Sequence, residues 1–278
     1  MKKVLVTTDL SKNAKAGLRF AIQLATQVPV ALTFFYSYHL MKPTSWSDTA
    51  FTAYQKSEAV KNQKKLQQYV NSIYKSKGKA PANIKYVVKE AIMADSAIRE
   101  YALHHNYDYI CLSTRGAGVF QKILGTTTSS LINFSTVPVI VVPNSYRTKS
   151  IKNLLYFSDL DDLDKELKKV IAFANPLGAK VILLHFNYPL EISDKKSAME
   201  ETLKKYPKSR IDLRLIDCDS TDRLMSKINE YAALLKPSVL VMFTKQHRSF
   251  AEKIFYGSHA ESYSYSAKIP LLVFNKTV

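Results

Sequence analysis

Apolar residues recur along this chain in two rhythms, and the rhythms alternate. Residues 4–10, Val-Leu-Val-Thr-Thr-Asp-Leu, are a short run apolar at its start and polar at its end, whereas 14–27 carry apolar residues at three- and four-residue spacing. The first pattern predicts a buried strand and the second a helix with one face on a core. A second apolar run follows at 30–36, then a long helical stretch, then runs at 84–89 and 109–114 with helical spacing at 94–105 between them. The block closes at 137–142 with Val-Pro-Val-Ile-Val-Val. Strands apolar on both sides, each followed by a helix, predict a parallel sheet covered by helices on both faces.

The same order then repeats. Residues 154–160, Leu-Leu-Tyr-Phe-Ser-Asp-Leu, match 4–10 at an offset of 150, and a helical stretch at 164–175 and an apolar run at 181–186 follow. A middle run at 211–216, a helix over 220–235, a run at 239–244 and a closing Ile-Pro-Leu-Leu-Val-Phe at 269–274 complete the second block. Self-similarity over so long a period predicts a duplicated domain. The division falls in the polar, basic segment 144–150, giving domains over 1–148 and 149–278. The second block is shorter ahead of its middle run, so its second helix is expected to be abbreviated.

Composition narrows the class. A chain of 278 residues with 46% hydrophobic content suits two domains with real cores. Two cysteines, Cys111 and Cys218, are too few for a disulfide scaffold and point to a reducing compartment. The apolar run after Met1-Lys2-Lys3 is too short for a signal-peptide core, and no run reaches the ~18 apolar residues of a spanning helix. A cytoplasmic protein without a membrane partner is expected. The net charge is +17, of which residues 1–148 carry +12, and such a field attracts anions of many kinds. Lys61, Lys64, Lys65, Lys75, Lys77 and Lys79 cluster on a helical stretch and its exit, which reads as a solvated helix face in preference to a nucleic-acid surface.

In an open parallel sheet, ligands bind beyond the carboxyl ends of strands. The residues leaving the first strand, Thr7, Thr8 and Asp9, and the segment after the fourth, Ser113–Gly118, are therefore the places for a site. Gly116, Gly118 and Gly125 allow a ligand close to the backbone, and Arg115 adds positive charge. Thr126 and Thr127 open the next helix, where hydroxyls and free amides suit a phosphate. An ordinary turn capped by Thr126 or Thr127 would read the same way, and Asp9 fits either a helix cap or a ligand contact.

Other chemistries lack their residues. There is no P-loop, no Gly-x-Ser-x-Gly elbow and no metal-type spacing among the six histidines. His185 reads as a satisfied core histidine and Cys111 as a buried, inert thiol.

On the opening Val-Leu-Val-Thr-Thr-Asp-Leu-Ser, the loop Ser113-Thr-Arg-Gly with Gly125-Thr126, and the Thr-Val-Pro-Val-Ile-Val-Val ending, the chain resembles the universal stress protein family, in its tandem two-domain form. The resemblance implies two α/β, Rossmann-like (adenine-nucleotide α-hydrolase-like) domains, each a five-stranded parallel sheet of order 3-2-1-4-5. It implies that Asp9 and Phe35 flank an adenosine, and that Gly116, Gly125, Thr126 and Thr127 hold phosphates. ATP-binding members carry Gly-x-x-Gly, nine residues, then Gly-Ser or Gly-Thr. Here Ser113 stands at the first glycine and eight residues separate Gly116 from Gly125. In the second half Phe243 and Gln246 replace both glycines, leaving Asp159 and Gly257-Ser258 of the pattern.

The expectation is a stress-response or regulatory protein that takes ATP or another adenine nucleotide, with or without Mg, in its first domain alone. Slow ATP hydrolysis is the most activity anticipated, since no residue is placed as a base. The closing strands are expected to pair, making an internal pseudo-dimer, with a homodimer as a further option. The alternative is a nucleotide-free scaffold whose basic surface recruits acidic partners. An ATP-pyrophosphatase-type enzyme fits less well, because residues 7–11 lack its glycines.

Overall fold

A computed structural model describes residues 1–76, 84–114, 126–188, 195–219, 221, 223–244 and 268–276. The first half runs β1 (Lys2–Thr8), α1 (Lys15–Gln27), β2 (Val30–Tyr38), α2 (Asp48–Lys75), β3 (Ile84–Glu90), α3 (Ala94–His104), β4 (Tyr109–Ser113), α4 (Thr126–Phe134) and β5 (Val139–Val142). The second runs β6 (Asn153–Phe157), α5 (Leu163–Ala174), β7 (Lys180–Asn187), α6 (Lys195–Lys204), β8 (Ile211–Asp217), α7 (Leu224–Leu235), β9 (Val239–Thr244) and β10 (Leu271–Asn275). As expected, α6 is the abbreviated counterpart of α2, with 10 residues against 28.

The ten strands of the described residues form one sheet, in the order β3-β2-β1-β4-β5-β10-β9-β6-β7-β8. Each half thus has the order 3-2-1-4-5 with parallel pairing throughout. The closing strands do pair: β5 meets β10 antiparallel, through Val141–Leu271, Ile140–Leu272 and Val139–Val273. They begin two residues later than the apolar runs suggest. Pro138 and Pro270 have carbonyls that accept from Ile110 and Leu240 at 2.9 and 2.8 Å, but a proline has no N–H to extend the ladder.

Two cores lie on opposite faces of the sheet. One joins α1, α2 and α5 to the strands through Leu18, Phe20, Leu66, Leu167 and Val170, and the other joins α3, α4 and α7 through Ile98, Leu131 and Ile228. Of α2, the buried residues all lie from Asn62 onward, and Lys61, Lys64, Lys65 and Lys75 are exposed, as a solvated face requires. Lys77 and Lys79 lie outside the described residues.

The segment joining the halves is held closely. Tyr146 is buried against Phe20, ring centroids 5.7 Å apart, and the Gln27 side-chain amide clamps Ile151, accepting its N–H at 2.8 Å and donating to its carbonyl at 3.1 Å. Tyr109 of one half meets Phe173 of the other edge-to-face at 5.3 Å. Among the described residues no helix is long and apolar enough to cross a membrane.

Candidate functional site

The loop leaving β1 is built from its own side chains. The Thr8 hydroxyl accepts from the Leu10 N–H at 3.0 Å and the Asp9 carboxylate accepts from the Ser11 N–H at 2.9 Å. Between them Leu10 is left-handed, φ 62°. A residue with a Cβ is held there against roughly 1–2 kcal/mol of steric cost. Asp9 is therefore not the cap of α1, which starts at Lys15; it closes the turn ahead of that helix. Tyr69, from α2, donates to the Ser11 carbonyl at 2.6 Å and holds the loop from outside. Burial pushes the Tyr69 hydroxyl up to about 12.

Across the sheet, β4 ends at Ser113. Its hydroxyl accepts from the Gly17 N–H at 2.6 Å and donates to the Ala14 carbonyl at 2.9 Å, pinning the first turn of α1 to the strand end. The approach needs glycine: a Cβ on Gly17 would lie 3.0–3.1 Å from the Leu112 carbonyl carbon and from Ser113. Ser113 thus does for the fold what its place in the motif does not suggest, since its hydroxyl is already engaged twice.

Between these loops and the start of α4 a pocket of about 120 Å³ opens at the carboxyl edge of the sheet. It gathers the described candidates Thr8, Asp9, Phe35, Ser113, Thr126 and Thr127 around one space. Phe35 is fully buried, so it offers the pocket an apolar wall and packs its ring on Tyr101 at 5.2 Å. Arg115, Gly116, Gly118 and Gly125 lie outside the described residues. Among the described residues the lining contains no lysine, arginine or histidine. Ser37, Asn13 and Tyr69 were not singled out by sequence reasoning. Ser37 is the residue that alternation along β2, two positions from Phe35, could have found.

The second half copies the loop and pairs its carboxylate internally. Ser158 accepts from Leu160 at 3.0 Å, Asp159 accepts from Asp161 at 3.2 Å, and Leu160 is again left-handed at φ 68°. Here, however, the Lys276 ammonium sits 2.6 Å from both Asp159 oxygens and 3.0 Å from Glu166, whose other oxygen accepts from the Tyr156 hydroxyl. The strand registers place Val6 and Asn144 of the first half at the positions of Tyr156 and Lys276, and the sequence offset of 150 that relates Val6 to Tyr156 sets Ala16 against Glu166. Leu167 and Phe243 stand at the places of Gly17 and Ser113, and Phe243 stacks on Phe274 with centroids 4.8 Å apart. Burial pushes the Glu166 carboxyl up. Burial also pulls Lys276 down, but its bonds to Asp159 and Glu166 outweigh that and leave it raised. Gln246 and Gly257-Ser258 lie outside the described residues.

The remaining candidates are structural. His185 is buried with Nδ1 2.9 Å from the Ser158 carbonyl, and Cys111 is fully buried, donating to the Gly17 carbonyl at 3.5 Å, its thiol pushed up by desolvation. Among the described residues no three His, Cys, Asp or Glu stand together as a metal set.

Comparison with known proteins places this geometry. A family model described as the universal stress protein family matches residues 1–143. No curated protein sequence matches the chain. Among solved structures, a universal stress protein from Archaeoglobus fulgidus is similar over 99% of this chain and 98% of its own, at 18% identity and TM-score 0.67. A functionally unknown protein from Pseudomonas aeruginosa is similar over 99% of this chain and 92% of its own, at 12% identity and TM-score 0.58. A universal stress protein in complex with cAMP matches 51% of this chain and 96% of its own, at 15% identity and TM-score 0.38. At these identities the full-length likenesses speak for the fold of both halves together.

Proposed function

Because the chain belongs to the universal stress protein family, we propose that it is a stress-response or regulatory module whose first domain, 1–148, binds an adenine nucleotide such as ATP, while its second, 149–278, does not. One contrast carries the reading. The pocket beyond β1 and β4 is lined by hydroxyls and by the opening residues of α4, and among the described residues its Asp9 side chain bonds only to a neighbouring backbone N–H. The matching carboxylate of the second half is held by an internal ammonium. The residues present suit a nucleotide: Phe35 and Ile98 offer apolar walls for a ring, and Thr126 and Thr127 lie where helix amides attract phosphate. In this reading Arg115, Gly116, Gly118 and Gly125 supply the remaining phosphate contacts.

The test is calorimetric titration of the whole chain with ATP, beside the variant Gly125→Val. One ATP per chain is expected for wild type. The variant should lose binding while keeping its melting temperature, because a β-branched residue restricts backbone that must approach phosphate. Two equal sites per chain would refute the asymmetry. No binding by wild type would favour a nucleotide-free scaffold instead, and full affinity in a folded Gly125→Val protein would mean that the segment at Gly125 does not hold the phosphates.

A further inference from the structure

We infer that Ser37 reads the base end of the bound nucleotide, an inference that rests on the proposal above. β2 outruns β1: the last residue of β1, Thr8, lies opposite Tyr36, so Ser37 stands at the rim beyond its neighbour strand. Its side chain is on the Phe35 side of the strand, by the two-residue period, and lines the same pocket. There the Ser37 oxygen is buried and, among the described residues, has no hydrogen-bond partner. A buried hydroxyl left unpaired is unfavourable, and structures rarely keep one without a use.

Its surroundings say what the use is. Phe35, Ala94, Ile98 and Leu112 make the walls of the pocket apolar, which suits a flat ring. A ring entering between them brings polar edge atoms, and a serine hydroxyl can donate to or accept from such an edge. The second half supplies the control. The residue in register with Ser37 is Phe186, buried and stacked on Phe157 with centroids 6.2 Å apart. The second half fills this position with a ring of its own; the first leaves a hydroxyl there.

The experiment compares wild type, Ser37→Ala and Ser37→Phe by calorimetry with ATP and with inorganic tripolyphosphate, which has no base, and records melting without ligand. Ser37→Ala should weaken ATP about fivefold to tenfold, leave tripolyphosphate unchanged, and melt no lower than wild type. Ser37→Phe should abolish ATP binding and spare tripolyphosphate. Unchanged ATP affinity in Ser37→Ala overturns the inference while leaving the nucleotide proposal standing. Equal losses for ATP and tripolyphosphate overturn it as well, since the residue would then act on the whole site. A wild type that binds no ATP overturns both.

Discussion

At the residue scale the two halves differ most where a carboxylate is left open or is neutralised. Lys276 is nearly buried, its side chain 7% exposed, and it serves Asp159 and Glu166 together. Breaking a buried pair from one side leaves a charge without water or partner, a loss of roughly 3–5 kcal/mol. Lys276→Met is therefore expected to destabilise the chain by about 3 kcal/mol in urea unfolding, measured at neutral pH. Adding Glu166→Ala, which restores the small residue of the first half at Ala16, should recover most of that loss. A double variant no better than the single would show that the cluster is not coupled. Little of this was legible beforehand. Asp9 and Asp159 repeat in the sequence, but Lys276 and Glu166 are 110 residues apart and meet only because β10 ends beside the start of α5. Likewise Ser113 occupies a glycine position of a motif, and the sequence alone could not show that its hydroxyl is spent on Gly17 and Ala14.

Elements were far more legible than contacts. Continuous apolar runs became strands and three- and four-residue spacing became helices, because burial on both sides of a parallel sheet leaves a strand no polar face. The edges read less well. The prolines that open the last runs look like strand from their neighbours, yet pairing begins only after them. The pairing of β5 with β10 follows from the repeat itself, since each half ends in a strand whose outer edge is otherwise bare. That seam is short, three residue pairs long, and wholly apolar. Leu272→Asp would place an unpaired carboxylate inside it, and such burial costs several kcal/mol. The expected result is a wild type that melts in one calorimetric transition and a Leu272→Asp variant that melts earlier and in two. A variant that still melts as one unit would mean that Gln27, Tyr146 and the Tyr109–Phe173 contact join the halves without the seam.

At the scale of the whole molecule, buried tyrosines set an alkaline limit. Burial raises the hydroxyls of Tyr69 and Tyr74 to about 12 from an ordinary value of 10.0. Between those values the unfolded chain releases protons that the folded chain still holds. Stability is then complete below pH 10 and falls as pH rises toward 12. Lys276, also raised, loses its proton still later than an ordinary lysine and adds to the decline on the alkaline side. Urea midpoints measured from pH 8 to 12, with tyrosinate absorbance followed in parallel, should show a flat region and then this descent. A profile flat through the whole range would rule out the buried hydroxyls as its cause.

The antiparallel seam has one more consequence, for inheritance rather than for stability. Two identical chains joined across such a strand would be symmetric, and any change at one site would appear at the other. Here both partners lie in one polypeptide, so their association is intramolecular and survives any dilution. A lysine can then enter one site and not its twin. The tether that keeps the halves together is also what lets a glycine and serine persist at 17 and 113 while a leucine and phenylalanine close the same place at 167 and 243.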